Sequence, residues 1–483
     1  MITGCAVGPD FRSPDAPVVR EYTPEPLPKE TVSVPVHGGE TQSFVSGRDI
    51  PAEWWAIFRS DALDRLVRQA LKESPTLAAA EASLRQAQEN LRARSGTVYY
   101  PSVDGKFSVD RQRYTGASSG QPSAEPNTFT LYNASVSVSY TLDIFGGGRR
   151  ELEGLRAQVD YQNFQLEAAH LTLTSNIVTT AVQEASLRSQ IRATRDIIEM
   201  LQNQLDIVTS QFELGGVSKT DVLVQQTQLA QTRATLPPLE KELAATRNQL
   251  AVYLGRFPGE GGLPEFELEG LHLPGELPVS LPSSLVRQRP DIRASEELLH
   301  AASAQVGVAT ANLYPQITLT GSLGSSGVRI EDLFSGGTAL WSLAAGLTQP
   351  IFRGGELTAK RRAAIAAYDQ ALAQYRDSVL QAFRNVADSL YALETDARTL
   401  RAQADAEASA RDSLSLTRDQ FRLGAVNYLT LLVAQYQYHL ARINLVRAQA
   451  ARFADTAALF QSLGGGWWNR PVQTDRETVP GSK

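Results

Sequence analysis

Between Gly154 and Gly215 the chain contains neither glycine nor proline, a run of 60 residues, and between Gly355 and Gly424 lies a second such run of 68. Gly and Pro are the residues that most strongly disfavour a helix interior, so their absence over these lengths points to helices of unusual size. At about 1.5 Å of rise per residue the runs correspond to rods of about 90 to 100 Å. No compact domain accommodates that length. Apolar residues recur at three and four spacing in the first run, at Leu155 and Val159, Leu166, Ala169 and Leu173, then Ile198, Leu201, Leu205, Val208 and Phe212. This is the seam of a coiled coil. After each glycine turn a second helical pattern follows, over 218–254 and 427–463, so each run opens a helical hairpin. Pro237-Pro238 predicts a kink or break in the first returning helix, whereas Val446-Arg447 at the matching place leaves the second unbroken.

The two hairpins belong to a tandem repeat. Gln211-Phe212-Glu213-Leu214-Gly215-Gly216-Val217 is echoed by Gln420-Phe421-Arg422-Leu423-Gly424-Ala425-Val426, and Ile144-Phe145-Gly146-Gly147-Gly148 by Ile351-Phe352-Arg353-Gly354-Gly355. Tyr100-Pro101 pairs with Tyr314-Pro315, and Pro75 with Pro290, in constant order at an offset of roughly 207 to 215. The expected division is an extended segment 1–53, a first repeat 54–255, a linker 256–284, a second repeat 285–463 and a tail 464–483.

Each repeat also carries two segments in which apolar and polar residues alternate strictly. Val103, Gly105, Phe107 and Val109 alternate with Ser102, Asp104, Lys106 and Ser108, and Val136, Val138, Tyr140 and Leu142 with Ser135, Ser137, Ser139 and Thr141. Ile317, Leu319 and Leu323, then Trp341, Leu343, Ala345 and Leu347, repeat the pattern. Period two marks a strand with one apolar face, and 9 to 10 residues is the length that crosses a bilayer when tilted. A half-buried soluble sheet has the same alternation. Closure separates the two, because an open sheet edge cannot be left in hydrocarbon. Four strands are too few to close a barrel, so several chains must contribute. The polar stretches 111–128 and 325–339 then read as outer loops.

The single cysteine, Cys5, follows Ile2-Thr3-Gly4, an aliphatic residue and two small ones, as in a lipobox. One cysteine excludes a disulfide framework and a Cys-based zinc site. Eight prolines between Pro9 and Pro51 favour an extended tether from an anchor to the folded body. No 18-residue apolar window offers a membrane-spanning helix. With 46 Lys and Arg against 52 Asp and Glu, the net charge of −6 argues against nucleic acid as a partner. The five His residues are scattered, without metal-ligand spacing. Gly146-Gly147-Gly148 lacks the Lys-Ser/Thr ending of a phosphate loop. Neither an enzyme nor a resident cofactor is indicated.

Trp54-Trp55-x-x-Phe58 with Leu63 and Leu66, Leu281-Pro282-Ser283-Ser284-Leu285-Val286-x-x-Arg289-Pro290-Asp291-Ile292-Arg293, and Asn312-Leu313-Tyr314-Pro315 resemble motifs of the outer-membrane factors of bacterial efflux systems, the TolC family with its OprM-like, NodT-type lipoproteins. The resemblance runs from Cys5 to about Leu463. It implies an α+β membrane protein in which long helical hairpins and strand pairs repeat in tandem. Three copies would form a twelve-stranded β-barrel in the outer membrane, continuous with a periplasmic α-helical barrel. It also implies the exit duct of a tripartite, RND-type multidrug efflux system. The partners would be a periplasmic membrane-fusion adapter, an inner-membrane transporter and outer-membrane lipid, with Cys5 carrying lipid, palmitate included. The hairpin turns would be the periplasmic tip that gates the pore and meets the adapter.

Read from the residues, Gly215 and Gly424 supply a left-handed end to the long helix, and Ser218 and Asn427 cap the returning one. Asp221 suits the helix dipole, and in a closed ring would add negative charge. Val217 and Lys219 complete the first turn, whereas Val426, Tyr428 and Leu431 give the second an apolar character. The apolar turn is expected to constrict the pore, and the charged one to set ion preference or adapter contact. The competing reading is a soluble periplasmic coiled-coil scaffold or adapter, which leaves the four alternating strands unexplained.

Overall fold

The computed structural model describes residues 6–19, 21–26, 28–115 and 125–470. Cys5 falls outside these residues, as do 116–124 of the first outer loop and 471–483 of the tail. In chain order the elements are β1 (Ser43–Ser46), a 3₁₀ turn (Trp54–Phe58), α1 (Asp61–Glu73), α2 (Pro75–Tyr99), β2 (Ser102–Tyr114), β3 (Asn127–Leu142), α3 (Gly147–Glu213) and α4 (Lys219–Tyr253). They continue as β4 (Glu276–Val279), α5 (Pro282–Gln288), α6 (Pro290–Ala311), β5 (Gln316–Gly327), β6 (Ala339–Thr348), α7 (Glu356–Arg422) and α8 (Tyr428–Ser462). The order α1-α2-β2-β3-α3-α4 recurs as α5-α6-β5-β6-α7-α8. Even the lengths agree, 67 residues for α3 and α7 and 35 for α4 and α8.

Two compact units emerge, each drawing on both halves of the chain. The first comprises Met1–Pro14, Ala82–Asn163 and Ala294–Arg376, and the second Asp15–Glu81, Phe164–Arg293 and Asp377–Lys483.

In the first unit β2, β3, β5 and β6 form one antiparallel sheet in that order. Its register aligns the alternation of all four strands into rows. Val103, Val138, Gly321 and Leu343 lie across from one another, and so do Gly105, Val136, Leu323 and Trp341. Between them run Asp104, Ser137, Ser322 and Ser342. One face is therefore apolar and the other polar, the pattern of a barrel strand with lipid outside and water inside. β2 and β3 are longer than the alternation indicates, reaching Tyr114 and starting at Asn127. Backbone pairing continues past the apolar stretch because a ladder needs only N–H and C=O groups, and Tyr114 stacks on Phe129 near its end.

The strand-to-helix joint after β3 is held by Asp143. Its carboxylate accepts from the backbone N–H groups of Gly148 (3.0 Å) and Arg149 (2.9 Å), so these N–H groups at the start of α3 are already occupied. That accounts for the glycine run as a turn. α3 starts at Gly147, ahead of the glycine-free stretch, and Gly154 sits inside it. A Cβ at Gly154 would meet the Ala304 methyl at 3.5 Å, an ordinary contact, so packing against α6 does not itself demand glycine there. Buried Arg150 then fastens the segment that follows Cys5. It donates to the carbonyls of Val7 and Gly8 and pairs with Asp10 (2.6 Å) and Glu153 (2.7 Å). Val7 N–H donates to Phe145, and Phe11 stacks on His300 at 4.3 Å. The first described residues of the proline-rich segment are thus tied down.

In the second unit the aromatic opening motif is part of the core. Trp54 and Phe58 are fully buried, Trp54 stacks on Phe460, and the Trp55 indole N–H donates to Asp64. A two-stranded parallel sheet pairs β1 with β4, bringing the proline-rich segment onto the linker. Pro237-Pro238 does not break α4, which runs unbroken through both prolines. Two prolines cost two helical hydrogen bonds, those to the carbonyls of Arg233 and Ala234. Both residues are exposed, so water satisfies the freed carbonyls. Among the described residues no helix is long and apolar enough to cross a membrane.

Candidate functional site

Both hairpin turns lie in the second unit. α3 ends with Gly215 at φ 77°, where the Gly216 N–H reaches back to Gln211 and the Gly215 N–H to Phe212. α7 ends identically, with Gly424 at φ 73°, Ala425 N–H on Gln420 and Gly424 N–H on Phe421. These paired bonds are the Schellman motif, and the left-handed residue in it is strained for anything but glycine. Ser218 starts α4 through a capping box: its hydroxyl accepts from the Asp221 N–H, and Asp221 accepts from the Ser218 N–H at 2.9 Å. Asn427 starts α8, its Oδ1 accepting from the Thr430 N–H (3.0 Å) and hydroxyl (2.9 Å). The caps match the sequence expectation residue for residue.

The turns differ in what they show to solvent. Leu214 and Leu423, at matching positions, are 87% and 85% exposed. Lys219 is exposed, Asp221 is half-buried in its capping box, and Val217 and Val426 are half-buried. Tyr428 packs against Val208 and Val222 of the first hairpin, with Val217 and Phe421 around it. Leu431 is fully buried beside Leu414 and Ala434, with Met200, Phe421 and Tyr438 around them. The apolar surface of the second turn is thus carried by Leu423 and Leu429, while Tyr428 packs on the first hairpin and Leu431 between α7 and α8. Burial and the nearby Asp221 carboxylate hold the Tyr428 phenol well above its usual range.

The Arg289-Pro290-Asp291 motif has a structural job. Arg289 grips the Asp291 carboxylate with two hydrogen bonds (3.0 and 2.6 Å) and donates to the Ser462 carbonyl (2.8 Å), joining the start of α6 to the end of α8. Other polar clusters had no signature in the motifs. Buried Glu184 pairs with Arg188 and Arg247, and Arg247 also donates to the carbonyls of Leu263 and Pro264, which pins the linker to α3 and α4. Arg452 is fully buried in α8 and donates to the carbonyls of Gly38 (3.4 Å), Leu393 (3.1 Å) and Glu40 (3.0 Å). A lone arginine in the stretch Ala450-Ala451-Arg452-Phe453-Ala454 was the available signal.

Beside Arg452, burial and the neighbouring Asp455 push the Asp396 carboxyl up to about 7, against the opposing pull of Arg452. A folded-state value above the unfolded 3.8 means that the folded chain keeps a proton the unfolded chain releases. Stability is then expected to fall as pH rises from about 4 to about 7, and to level off above. Thermal unfolding of the wild type and Asp396→Asn at pH 4.5 and 7.5 checks this. The variant should lose most of the difference, and an equal pH response in both proteins would refute the assignment.

Among the described residues no group of His, Cys, Asp and Glu could hold a metal ion. What the arrangement offers is a two-faced sheet, long hairpins and paired tips.

Known proteins agree. The family model described as "Outer membrane efflux protein" matches residues 66–256 and 281–465. The pyoverdine export outer membrane protein OpmQ of Pseudomonas aeruginosa is 32% identical over 432 residues, covering 88% of each chain. The toluene efflux pump outer membrane protein TtgC of Pseudomonas putida is 27% identical, covering 99% of this chain and 96% of its own. Among solved structures, the outer-membrane channel OprN superposes with a TM-score of 0.84 at 26% identity, over 96% of this chain and 100% of that one. The Campylobacter jejuni CmeC channel, at 20% identity and a TM-score of 0.84, shares the fold over 97% of this chain and 96% of its own. These likenesses decide for a channel, against both an enzyme and the soluble scaffold or adapter. The chain therefore belongs to the outer membrane efflux protein family and has the TolC-like fold.

Proposed function

We propose that this channel is the exit duct of a tripartite pump, working as a homotrimer with a periplasmic membrane-fusion adapter and an inner-membrane RND-type transporter. The observation that carries the reading is the four-stranded sheet, apolar on one face and polar on the other, in which, among the described residues, the outer edges of β2 and β6 have no strand partner. An open edge in lipid is costly, and three sheets of four strands close into a barrel. Residues 54–255 and 285–463 are read as the two working repeats, with 256–284 as linker. Cys5 is read as the lipid-bearing residue, with palmitate among its acyl chains, which adds a second anchor to the barrel in the outer membrane. The two turns, Gly215 to Asp221 and Gly424 to Leu431, are read as the periplasmic tip that gates and meets the adapter. Small organic compounds are the cargo class, since the named relatives export pyoverdine and toluene. Selection among them is left to the transporter, because the polar sheet face of Ser and Thr is permissive.

Mass measurement of the detergent-solubilised protein should find three copies, and the mature amino terminus should be an acylated Cys5. Adapter and transporter should co-purify from the native host, and deletion should raise sensitivity to small toxic compounds. A stable monomer would remove the barrel, and an unmodified terminus ahead of Cys5 would remove the anchor.

A further inference from the structure

The sheet contains an internal example of the joint that a second copy would have to make. β3 ends the first repeat's strand pair and β5 begins the second's, and they pair with Leu142 opposite Ile317 and Val138 opposite Gly321. Just beyond that pairing, Phe145 stacks on Tyr314 with ring centroids 4.8 Å apart. By the repeat, Phe352 corresponds to Phe145 and Tyr100 to Tyr314. These two lie at opposite edges of the sheet, beyond β6 and before β2. Phe352 is 87% exposed, its neighbour Ile351 95% and Tyr100 70%. Half of a repeated contact is made inside the chain, and the other half stands open.

We propose that β6 of one copy pairs with β2 of the next in the register of the internal joint, with Phe352 stacked on the next copy's Tyr100. The proposal rests on the three-copy reading above. Transferring the β3–β5 register sets Leu347 opposite Gly105, Ala345 opposite Phe107 and Leu343 opposite Val109 of the next copy. Apolar rows continue across the joint, and a one-residue slip would turn polar side chains into lipid. Trp341 falls opposite Arg111, a pair suited to the membrane–water boundary.

Barrel geometry is compatible with the register. One row runs Val103, Val138, Gly321, Leu343. Returning on Val109 of the next copy, it advances six residues per chain, eighteen around three. With about 3.3 Å per residue and about 4.8 Å between twelve strands, that is a tilt of about 45°, as such barrels have. The repeat is not exact, however. Ser102 faces Ser139 in one hairpin while Gln316 faces Thr348 in the other, two residues from the transferred position. Slips of two residues, with Leu343 opposite Phe107 or Arg111, are therefore the real competitors. They correspond to tilts of about 35° and about 55°.

Oxidative cross-linking separates these registers in the full-length Cys5→Ser protein, with the copy number taken by mass. Directly opposed residues lie within disulfide reach, whereas diagonal neighbours at about 7–8 Å do not. Leu343→Cys combined with Val109→Cys should convert most of the protein to covalently linked chains on a denaturing gel. Leu343→Cys with Phe107→Cys, or with Arg111→Cys, should give less than about a tenth of that. The pair Val136→Cys and Leu323→Cys, opposed within one chain, reports correct sheet formation by loss of free thiols. If either slipped pair links as well as the Val109 pair, the register is wrong. It is equally wrong if the protein is trimeric, the internal pair closes and the Val109 pair stays open. A monomer by mass would overturn the three-copy reading, and the register with it.

Discussion

Leu431→Ser is expected to raise the single-channel conductance of the purified channel, several-fold if the proposed tip is closed at rest. Leu431 is fully buried one turn into α8, against Leu414 of α7 and Ala434, with Met200 of the first hairpin beside them. Truncating a buried leucine removes about 2–5 kcal/mol, and a serine hydroxyl left without a partner adds to the loss. The damage falls on the packing of α8 against α7 just behind the second turn, with Met200 of the first hairpin beside it. A loosened turn splays, and any constriction built from the exposed Leu423 and Leu429 widens with it. Asp221→Ala acts differently. It breaks the capping box with Ser218 at a cost of about 1 kcal/mol and removes a negative charge from each tip. Cation preference or adapter affinity should change, with conductance moving less. Planar-bilayer recording and pump-dependent export measure both. If neither substitution alters conductance, selectivity or export, the turns are structural only and the gate lies elsewhere.

Arg452→Met should cost the second unit about 3–5 kcal/mol, a drop in thermal midpoint of about 6 °C or more. Methionine fills much of the volume but leaves the carbonyls of Gly38, Glu40 and Leu393 without their donor. Two of these carbonyls belong to the proline-rich segment, so its hold on the helices should loosen first. Limited trypsin digestion should therefore cut earlier at Lys29 and Arg48, which flank the released stretch. Circular dichroism melting in detergent gives the midpoint. Unchanged melting and unchanged digestion would mean that the guanidinium is not what ties residues 38–40 down.

What was legible in the sequence was whatever local physics encodes. Helix length follows from uninterrupted helix formers, so α7 begins at Glu356, immediately after Gly355. Caps are contacts over three to five residues, so Gly215, Ser218, Gly424 and Asn427 could be placed with their roles. Strand alternation is a two-residue period, and the register of β2, β3, β5 and β6 joins four such patterns into one apolar and one polar face. The tandem repeat and the family motifs carried the function as far as an outer-membrane channel.

The tertiary structure decided what depends on partners far along the chain. Arg452 meets Gly38 across 414 positions, a pairing that no spacing rule indicates. β1 and β4 pair although the proline-rich composition around β1 argues against any strand. Pro237-Pro238 is tolerated because its orphaned carbonyls face water, and only the packing of α4 determines which face that is. Leu431 and Leu429 are the same residue type two positions apart, yet one is buried and the other exposed. A helix of period 3.6 presents them to different sides, and α7 of the same hairpin, with Met200 of the other beside it, covers one. Local sequence sets the period, the caps and the lengths, because those energies act within a turn or two; burial of a given side chain waits for the distant surface that excludes its water.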